Sequence, residues 1–91
     1  MYGLETQEWE TIKEVLQEAD TAKAILFGSR AKGDYRRGSD VDLAIIGNER
    51  EVAYRLNEET NLPYFFDVIH LQKISNKALL EHIERVGKAI L

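Results

Sequence analysis

The chain has 91 residues, of which 44% are hydrophobic and 31% are charged, with a net charge of −4 and no cysteine. This length predicts a single domain over residues 1–91, and the negative charge argues against a general nucleic-acid-binding protein. No apolar run approaches the ~20 residues of a membrane span, the N-terminus lacks the pattern of a signal peptide, and thiol chemistry is excluded. We therefore expect a cytoplasmic protein with no membrane contact.

The first third of the chain predicts a helix, a strand and a second, very short helix. Apolar residues recur at three- and four-residue spacing over residues 6–19, which is typical of an amphipathic helix. Residues 23–27 form a continuous apolar run, and such a run predicts a strand buried on both faces. Gly28 allows a tight turn after this strand. Ser29 then begins a short helix, which we expect Gly33 to end.

The remainder of the chain alternates between strands and helices. Residues 40–46 predict a second strand, and the capping pattern that starts at Asn48 predicts a helix to about Thr60. Residues 64–71 are rich in β-forming side chains and predict a third strand. An amphipathic stripe over residues 76–90 predicts the last helix.

This order of elements (helix, strand, short helix, strand, helix, strand, helix) predicts an α/β fold with a small sheet flanked by helices. The connection between the first two strands has room for little more than one helical turn. Because a parallel crossover usually needs ~10–12 residues with a full helix, we expect a mixed sheet rather than a parallel one.

The chemistry of the chain is concentrated between the first two strands. Asp40 and Asp42 are one residue apart in a predicted strand, so their carboxylates point to the same face and repel each other. A divalent cation removes that repulsion, and oxygen ligands suit Mg²⁺ or Mn²⁺. Just upstream, Gly28-Ser29 ends an apolar strand and offers free N–H groups and a hydroxyl to a phosphate. Together these features indicate chemistry on a nucleoside triphosphate.

The pattern of Gly28-Ser29, ten intervening residues and then Asp40-x-Asp42 resembles the signature of the DNA polymerase beta-like nucleotidyltransferase superfamily. The surrounding residues are similar to its small branch, the minimal nucleotidyltransferases, typically the MNT partner of bacterial and archaeal HEPN–MNT toxin–antitoxin pairs. The match is dense over residues 24–46. The nucleotidyltransferase fold is what this resemblance implies.

A third carboxylate, Asp67, stands inside the most apolar run of the chain, residues 65–69. An ionised aspartate there is costly unless a charge or hydrogen bonds compensate it. Asp67 could point outward from the strand or accept a helix-capping hydrogen bond. It could also lie beside the strand of Asp40 and Asp42 and complete a set of three. In the resembled family a third acidic residue stands on the following strand, and Asp67 matches it.

The resemblance implies an enzyme that transfers a nucleoside monophosphate, AMP from ATP, to a hydroxyl group of a HEPN-domain toxin. Two Mg²⁺ or Mn²⁺ ions held by Asp40, Asp42 and Asp67 would clamp the attacking and leaving oxygens. Asp67 could also act as general base. We expect Gly28, Ser29 and Arg30 to bind the triphosphate of ATP or another nucleotide.

Two alternatives stay open. The chain could neutralise a HEPN ribonuclease by stoichiometric contact without catalysis, or it could be a fragment of an antibiotic-type transferase. The basic loop, residues 30–37, could be solvated or could contact the triphosphate or the partner. Zinc is not expected, since His70 and His82 lack companion ligands, and we expect His82 on the polar face of the last helix. The sequence does not decide whether the chain forms a homo-oligomer.

Overall fold

The computed structural model describes all of residues 1–91. Its centre is a four-stranded sheet with the strand order β3-β2-β1-β4. Strand β1 (Lys23–Phe27) is antiparallel to β2 (Val41–Ile46) and to β4 (Lys88–Ala89), whereas β2 and β3 (Phe66–His70) are parallel. The sheet is therefore mixed, as the short connection between the first two strands predicts.

Four helices flank the sheet: α1 (Thr6–Glu18), α2 (Gly28–Lys32), α3 (Glu49–Glu58) and α4 (Lys77–Val86). A single 3-10 turn (Leu71–Lys73) follows β3. None of these helices combines the length and the apolar character needed to cross a lipid bilayer. The α/β fold and the order of its first seven elements agree with the sequence-based expectation.

Helices α3 and α4 both begin at an asparagine cap. The side chain of Asn48 accepts the N–H of Glu51 at 3.1 Å, and the side chain of Asn76 accepts the N–H of Leu79 at 3.1 Å. Each hydrogen bond satisfies one of the amide groups that the first turn of a helix leaves free. Helices α3 and α4 are thereby fixed at their N-terminal ends.

The two faces of the sheet bury cores of different size. The face covered by α1 and α3 carries the main core, which includes Ile12, Leu16, Leu26, Leu43, Ile45, Val52, Leu56 and Phe66. The opposite face, covered by α4, has a smaller core of Phe27, Ala44 and Ile83. Because α4 covers only part of this second face, the ends of the strands beyond it remain accessible.

The end of the chain differs from the prediction. The last helix, expected to continue to Ile90, ends at Val86. Gly87 is extended, with φ −61° and ψ 145°, and a Cβ atom there would press on the Ile25 side chain. The chain then pairs with β1 as strand β4, and the N–H of Ile90 donates to the carbonyl of Ala24 at 3.0 Å. Close packing at the glycine thus redirects the chain from a helix into a fourth strand.

Candidate active site

The turn between β1 and α2 lies directly beside one of the predicted metal ligands. Gly28 has a φ of +75°, a conformation that glycine adopts readily and other residues rarely. A Cβ atom at this position would overlap the Asp42 carboxylate. The preceding residue, Phe27, is also the register partner of Asp42 in the sheet. Only glycine therefore allows the Gly28-Ser29 turn to lie against this carboxylate.

Asp42 and Asp67 occupy neighbouring positions on the two parallel strands. They are register partners in β2 and β3. Because Val41 and Leu43 point into the main core, Asp42 points to the opposite face of the sheet, the one that carries α4. Asp42 is half-buried, whereas Asp67 is exposed. The sheet thus brings together two carboxylates that are 25 positions apart in the sequence, as the two residue numbers show.

Asp40 is held less firmly than the prediction of a strand over residues 40–46 implies. Strand β2 begins at Val41, whose N–H donates to the carbonyl of Phe65 at 2.9 Å. Asp40 precedes this first pairing and is exposed to solvent. Its carboxylate therefore lies at the open edge of the site, beside the strand rather than in it.

The three carboxylates interact electrostatically. Burial raises the pKa of Asp42 above its ordinary value, and the negative charges of Asp67 and then Asp40 raise that pKa further. His82 acts in the opposite direction, and its effect is the smallest of the four. A half-buried carboxylate with two like charges nearby is a position that a cation would stabilise.

The residues fit a divalent metal ion only in part. No three Asp, Glu, His or Cys side chains are arranged so that together they hold an ion, so the predicted set of Asp40, Asp42 and Asp67 is not a preformed metal site. The carboxylates of Asp42 and Asp67, on paired positions of β2 and β3, do suit Mg²⁺, which commonly takes one or two carboxylates together with waters and substrate phosphates. The donor set therefore fits an ion that arrives with a triphosphate.

The asparagine side chain of α3 fixes the position of β3. The Asn57 side-chain oxygen accepts the N–H of Phe66 at 2.8 Å, and its nitrogen donates to the carbonyl of the same residue at 2.9 Å. This pair of hydrogen bonds replaces a neighbouring strand at the free edge of β3. Since Phe66 directly precedes Asp67, Asn57 also fixes the backbone that carries the third carboxylate.

His82 is part of the site, although the sequence prediction placed it on the polar face of α4. Its Nε2 atom accepts a hydrogen bond from the N–H of Gly28 at 3.0 Å. Its ring packs edge-to-face against Phe27, with 6.2 Å between the ring centroids. A signal was present in the sequence: Leu79, His82 and Val86 are spaced three and four residues apart, which places His82 on the sheet-facing side.

Arg30, which we expected to bind the triphosphate, has a different place in the structure. Only 1% of the residue is exposed. Its Nε and Nη2 atoms donate to the carbonyl of Ser39 at 3.1 and 2.8 Å, and Nη1 donates to the carbonyl of Tyr2 at 2.9 Å. The guanidinium carbon lies 5.3 Å from the ring centre of Tyr35 and 4.8 Å from that of Tyr64. Arg30 therefore joins the N-terminal segment to the loop before β2.

Replacing Arg30 with methionine is accordingly expected to destabilise the fold. It would leave two partly buried carbonyl groups without their charged donor, at a cost of about 2–5 kcal/mol of unfolding free energy. Urea unfolding measures this loss, and Arg36→Met is the control because Arg36 is exposed in the same loop. Equal stability of the two variants would contradict a structural role for Arg30.

The other cations of the basic loop remain at the surface. Lys32, Arg36 and Arg37 are exposed, and Lys32 lies 3.5 Å from the carboxylate of Asp34. Such exposed ion pairs contribute little to stability. Once Arg30 is assigned to the interior, these three side chains are the ones in the loop that a nucleotide or a partner protein could reach.

The site is an open surface rather than a pocket. None of the concavities of the molecule is lined by Gly28, Ser29, Asp42 or Asp67. These residues lie where β1 ends and near the starts of β2 and β3. A glycine-serine turn, two neighbouring carboxylates and free access from solvent together suit the transfer of a group to a large acceptor.

Residues 10–91 match the family model described as polymerase beta, nucleotidyltransferase. The chain therefore belongs to the polymerase beta nucleotidyltransferase family, whose members generally use divalent metal ions. A search of curated protein sequences gave no significant match.

Solved structures with the same fold come from toxin–antitoxin systems. A crystal structure of a toxin–antitoxin with AMP-PNP is 23% identical, covers 91% of this chain and 72% of that chain, and has a TM-score of 0.74. A mutant of the toxin–antitoxin MntA-HpeT is 21% identical with the same coverages and a TM-score of 0.72. The third is a chain from a structure described as a tri-AMPylated Shewanella oneidensis HEPN toxin in complex with MNT antitoxin. It is 20% identical, the match covers 91% of this chain and 68% of that chain, and the TM-score is 0.66. At these identities the likeness establishes the nucleotidyltransferase fold.

Proposed function

We propose that this chain is a metal-dependent nucleotidyltransferase that transfers AMP from ATP to a hydroxyl group of a partner protein, and that it serves as the antitoxin of a HEPN–MNT pair. The observation that carries the proposal is the placement of the Gly28-Ser29 turn against Asp42, which in turn stands beside Asp67. In this arrangement a turn that could bind phosphate lies next to carboxylates whose charge repulsion a metal ion would relieve.

Different residues of the chain would bind the phosphates, hold the metal ion and accept the proton. The Ser29 hydroxyl and neighbouring N–H groups would hold the β- and γ-phosphates, and Asp40, Asp42 and Asp67 would hold Mg²⁺ or Mn²⁺. When bound, the metal neutralises charge that develops on the attacking and leaving oxygens. The bond from the acceptor oxygen to the α-phosphorus forms while the bond from that phosphorus to the β-phosphate oxygen breaks, and pyrophosphate leaves. Asp67, an exposed carboxylate beside Asp42, accepts the hydroxyl proton.

The proposed partner follows from the similar structures. One contains a HEPN toxin that carries AMP groups beside an MNT antitoxin, and another contains an ATP analogue. The open site of this chain would accommodate a protein acceptor, because no wall of its own surrounds the carboxylates. A reaction that consumes ATP and modifies a ribonuclease would take place in the cytoplasm, where we place the protein.

A second candidate function is neutralisation by binding alone. It is favoured by one observation, that the three carboxylates do not form a preformed metal site. A non-catalytic antitoxin would bind its toxin in equal amounts and would leave it unmodified. Mass spectrometry of the toxin after incubation with this chain, ATP and Mg²⁺ separates the two, because only the enzyme adds the mass of AMP.

The nucleotide-binding role of the turn is tested by Ser29→Ala. The change removes one hydrogen bond to a charged phosphate, so we expect affinity for α,β-methylene-ATP with Mg²⁺ to fall roughly ten- to a hundredfold. Isothermal titration measures this change, and Ser75→Ala, an exposed serine before α4, is the matched control. If both variants bind the analogue like the wild type, the Gly28-Ser29 turn has no role beyond folding.

A further inference from the structure

Helix α4 contacts the Gly28-Ser29 turn through the side chain of His82. The Nε2 atom of His82 accepts the N–H of Gly28 at 3.0 Å, although 54 positions separate the two residues. Because Nε2 is the acceptor, a neutral His82 carries its proton on Nδ1. An imidazole nitrogen thus holds the main chain of the turn that we expect to bind the triphosphate.

The helix that carries His82 is anchored on both sides of this residue. At its start, Asn76 caps the first turn. Ile83 is buried between Phe27 and Ala44 in the smaller core, and at its end Gly87 packs against Ile25. A rigid element therefore presents the imidazole to the turn, and the contact is not an incidental one made by a mobile side chain.

The turn has a specific need for such an anchor. Glycine has more backbone freedom than any other residue, so the peptide between Phe27 and Gly28 is free to rotate unless a partner fixes it. Gly28 also packs against the Asp42 carboxylate, whose own neighbours Asp67 and Asp40 repel it. The hydrogen bond to His82 on α4 holds the Gly28 amide against both the rotation and the displacement.

We propose that His82 is a positioning residue that holds the Gly28-Ser29 turn in the geometry that binds a nucleoside triphosphate. The inference rests on the proposed function. His82 acts through Gly28 and touches neither the phosphates nor the acceptor. The side chain needed at this position is a hydrogen-bond acceptor that α4 places opposite the Gly28 amide.

Two variants separate this role from simple packing. His82→Phe keeps an aromatic ring against Phe27 but has no acceptor, whereas His82→Gln keeps an acceptor and loses the ring. We expect His82→Phe to weaken binding of α,β-methylene-ATP with Mg²⁺ roughly tenfold, the value of one hydrogen bond. We expect His82→Gln to retain most of the affinity. In transfer assays, KM for ATP should rise in His82→Phe by more than kcat falls.

Hydrogen exchange of the Gly28 amide provides a readout that needs no activity. We expect exchange at Gly28 to be faster in His82→Phe than in the wild type and His82→Gln. The amides of the preceding strand β1 should exchange at the same rate in all three proteins. Nucleotide affinity in His82→Phe equal to that of the wild type, or equally weak affinity in both variants, would overturn the inference. A wild-type chain that binds no triphosphate would overturn the proposed function and this inference with it. A wild-type chain that binds while His82→Phe binds equally well overturns the inference alone.

Discussion

Replacing Asp42 with asparagine is expected to abolish nucleotide transfer and, in the same molecule, to raise the free energy of unfolding at neutral pH. Transfer should fall by roughly a hundredfold or more, because the change removes the half-buried carboxylate central to the proposed metal site. Stability should rise because burial and the charges of Asp67 and Asp40 disfavour the ionised form of Asp42. A residue kept for folding alone would show neither of these opposite effects.

The gain in stability has a defined pH dependence. Folding raises the pKa of Asp42 above its ordinary value of 3.8. Between pH 3.8 and the raised pKa of the folded state, the folded protein therefore binds more protons than the unfolded one. Within that window the contribution of Asp42 to the free energy of unfolding falls as the pH rises. Above the window the ionised carboxylate has its full destabilising effect, which Asp42→Asn removes. Below pH 3.8 both states are protonated, and this electrostatic advantage of the variant disappears.

Urea unfolding without metal, at neutral and at acid pH, measures both effects. Asp34→Asn is the matched control, because Asp34 is an exposed carboxylate in the preceding loop, paired only with Lys32. We expect little change in that variant. A loss of stability in Asp42→Asn at neutral pH, or an equal gain in Asp34→Asn, would show that Asp42 is not the strained carboxylate of the site.

Gly28→Ala is expected to have the second large effect, and to damage stability and transfer together. The new side chain would force alanine into a φ of +75° and push its Cβ atom into the Asp42 carboxylate. The backbone term costs about 1–2 kcal/mol, and the overlap adds about 1–3 kcal/mol. For a domain of this size the total is a substantial part of the roughly 5–14 kcal/mol that holds it folded.

The backbone term and the overlap term can be separated because the chain contains a second glycine with a similar positive φ, at which an added Cβ atom would meet no other group. Gly38 has a φ of +81°, and no atom lies within 4 Å of the Cβ position. Gly38→Ala therefore reports the backbone term alone. In an Asp42→Ala background the loss from Gly28→Ala should shrink, since the carboxylate it meets is gone. Equal losses in Gly28→Ala and Gly38→Ala would mean that the turn and the carboxylate are not in contact.

Local patterns were sufficient to predict much of the fold. The two-residue period of β2 placed Val41 and Leu43 in the core and Asp42 on the other face, and the Gly28-Ser29 turn follows directly from its residues. The apolar run around Asp67 predicted a strand, and the structure has Asp67 at an exposed position of β3 beside Asp42. Each of these inferences depends on residues that are close together in the sequence.

What the sequence did not predict depends on contacts between distant segments. The burial of Arg30 requires the carbonyl of Tyr2, and the role of His82 requires the amide of Gly28. A cluster of basic residues resembles a solvated loop until the N-terminal segment folds over it. Strand β4, Lys88–Ala89, is too short for an alternating pattern, and it forms because the chain leaves α4 beside the free edge of β1.

Transfer of a nucleoside monophosphate can be measured in one labelling experiment. The wild-type chain is incubated with Mg²⁺ and its cognate HEPN-domain protein, once with ATP labelled at the α-phosphate and once with ATP labelled at the γ-phosphate. We predict that the HEPN protein retains the α-label and not the γ-label, and that Asp42→Asn abolishes the labelling. Retention of the γ-label would show a kinase reaction instead, and a HEPN protein that is neutralised without either label would contradict the account in favour of binding alone.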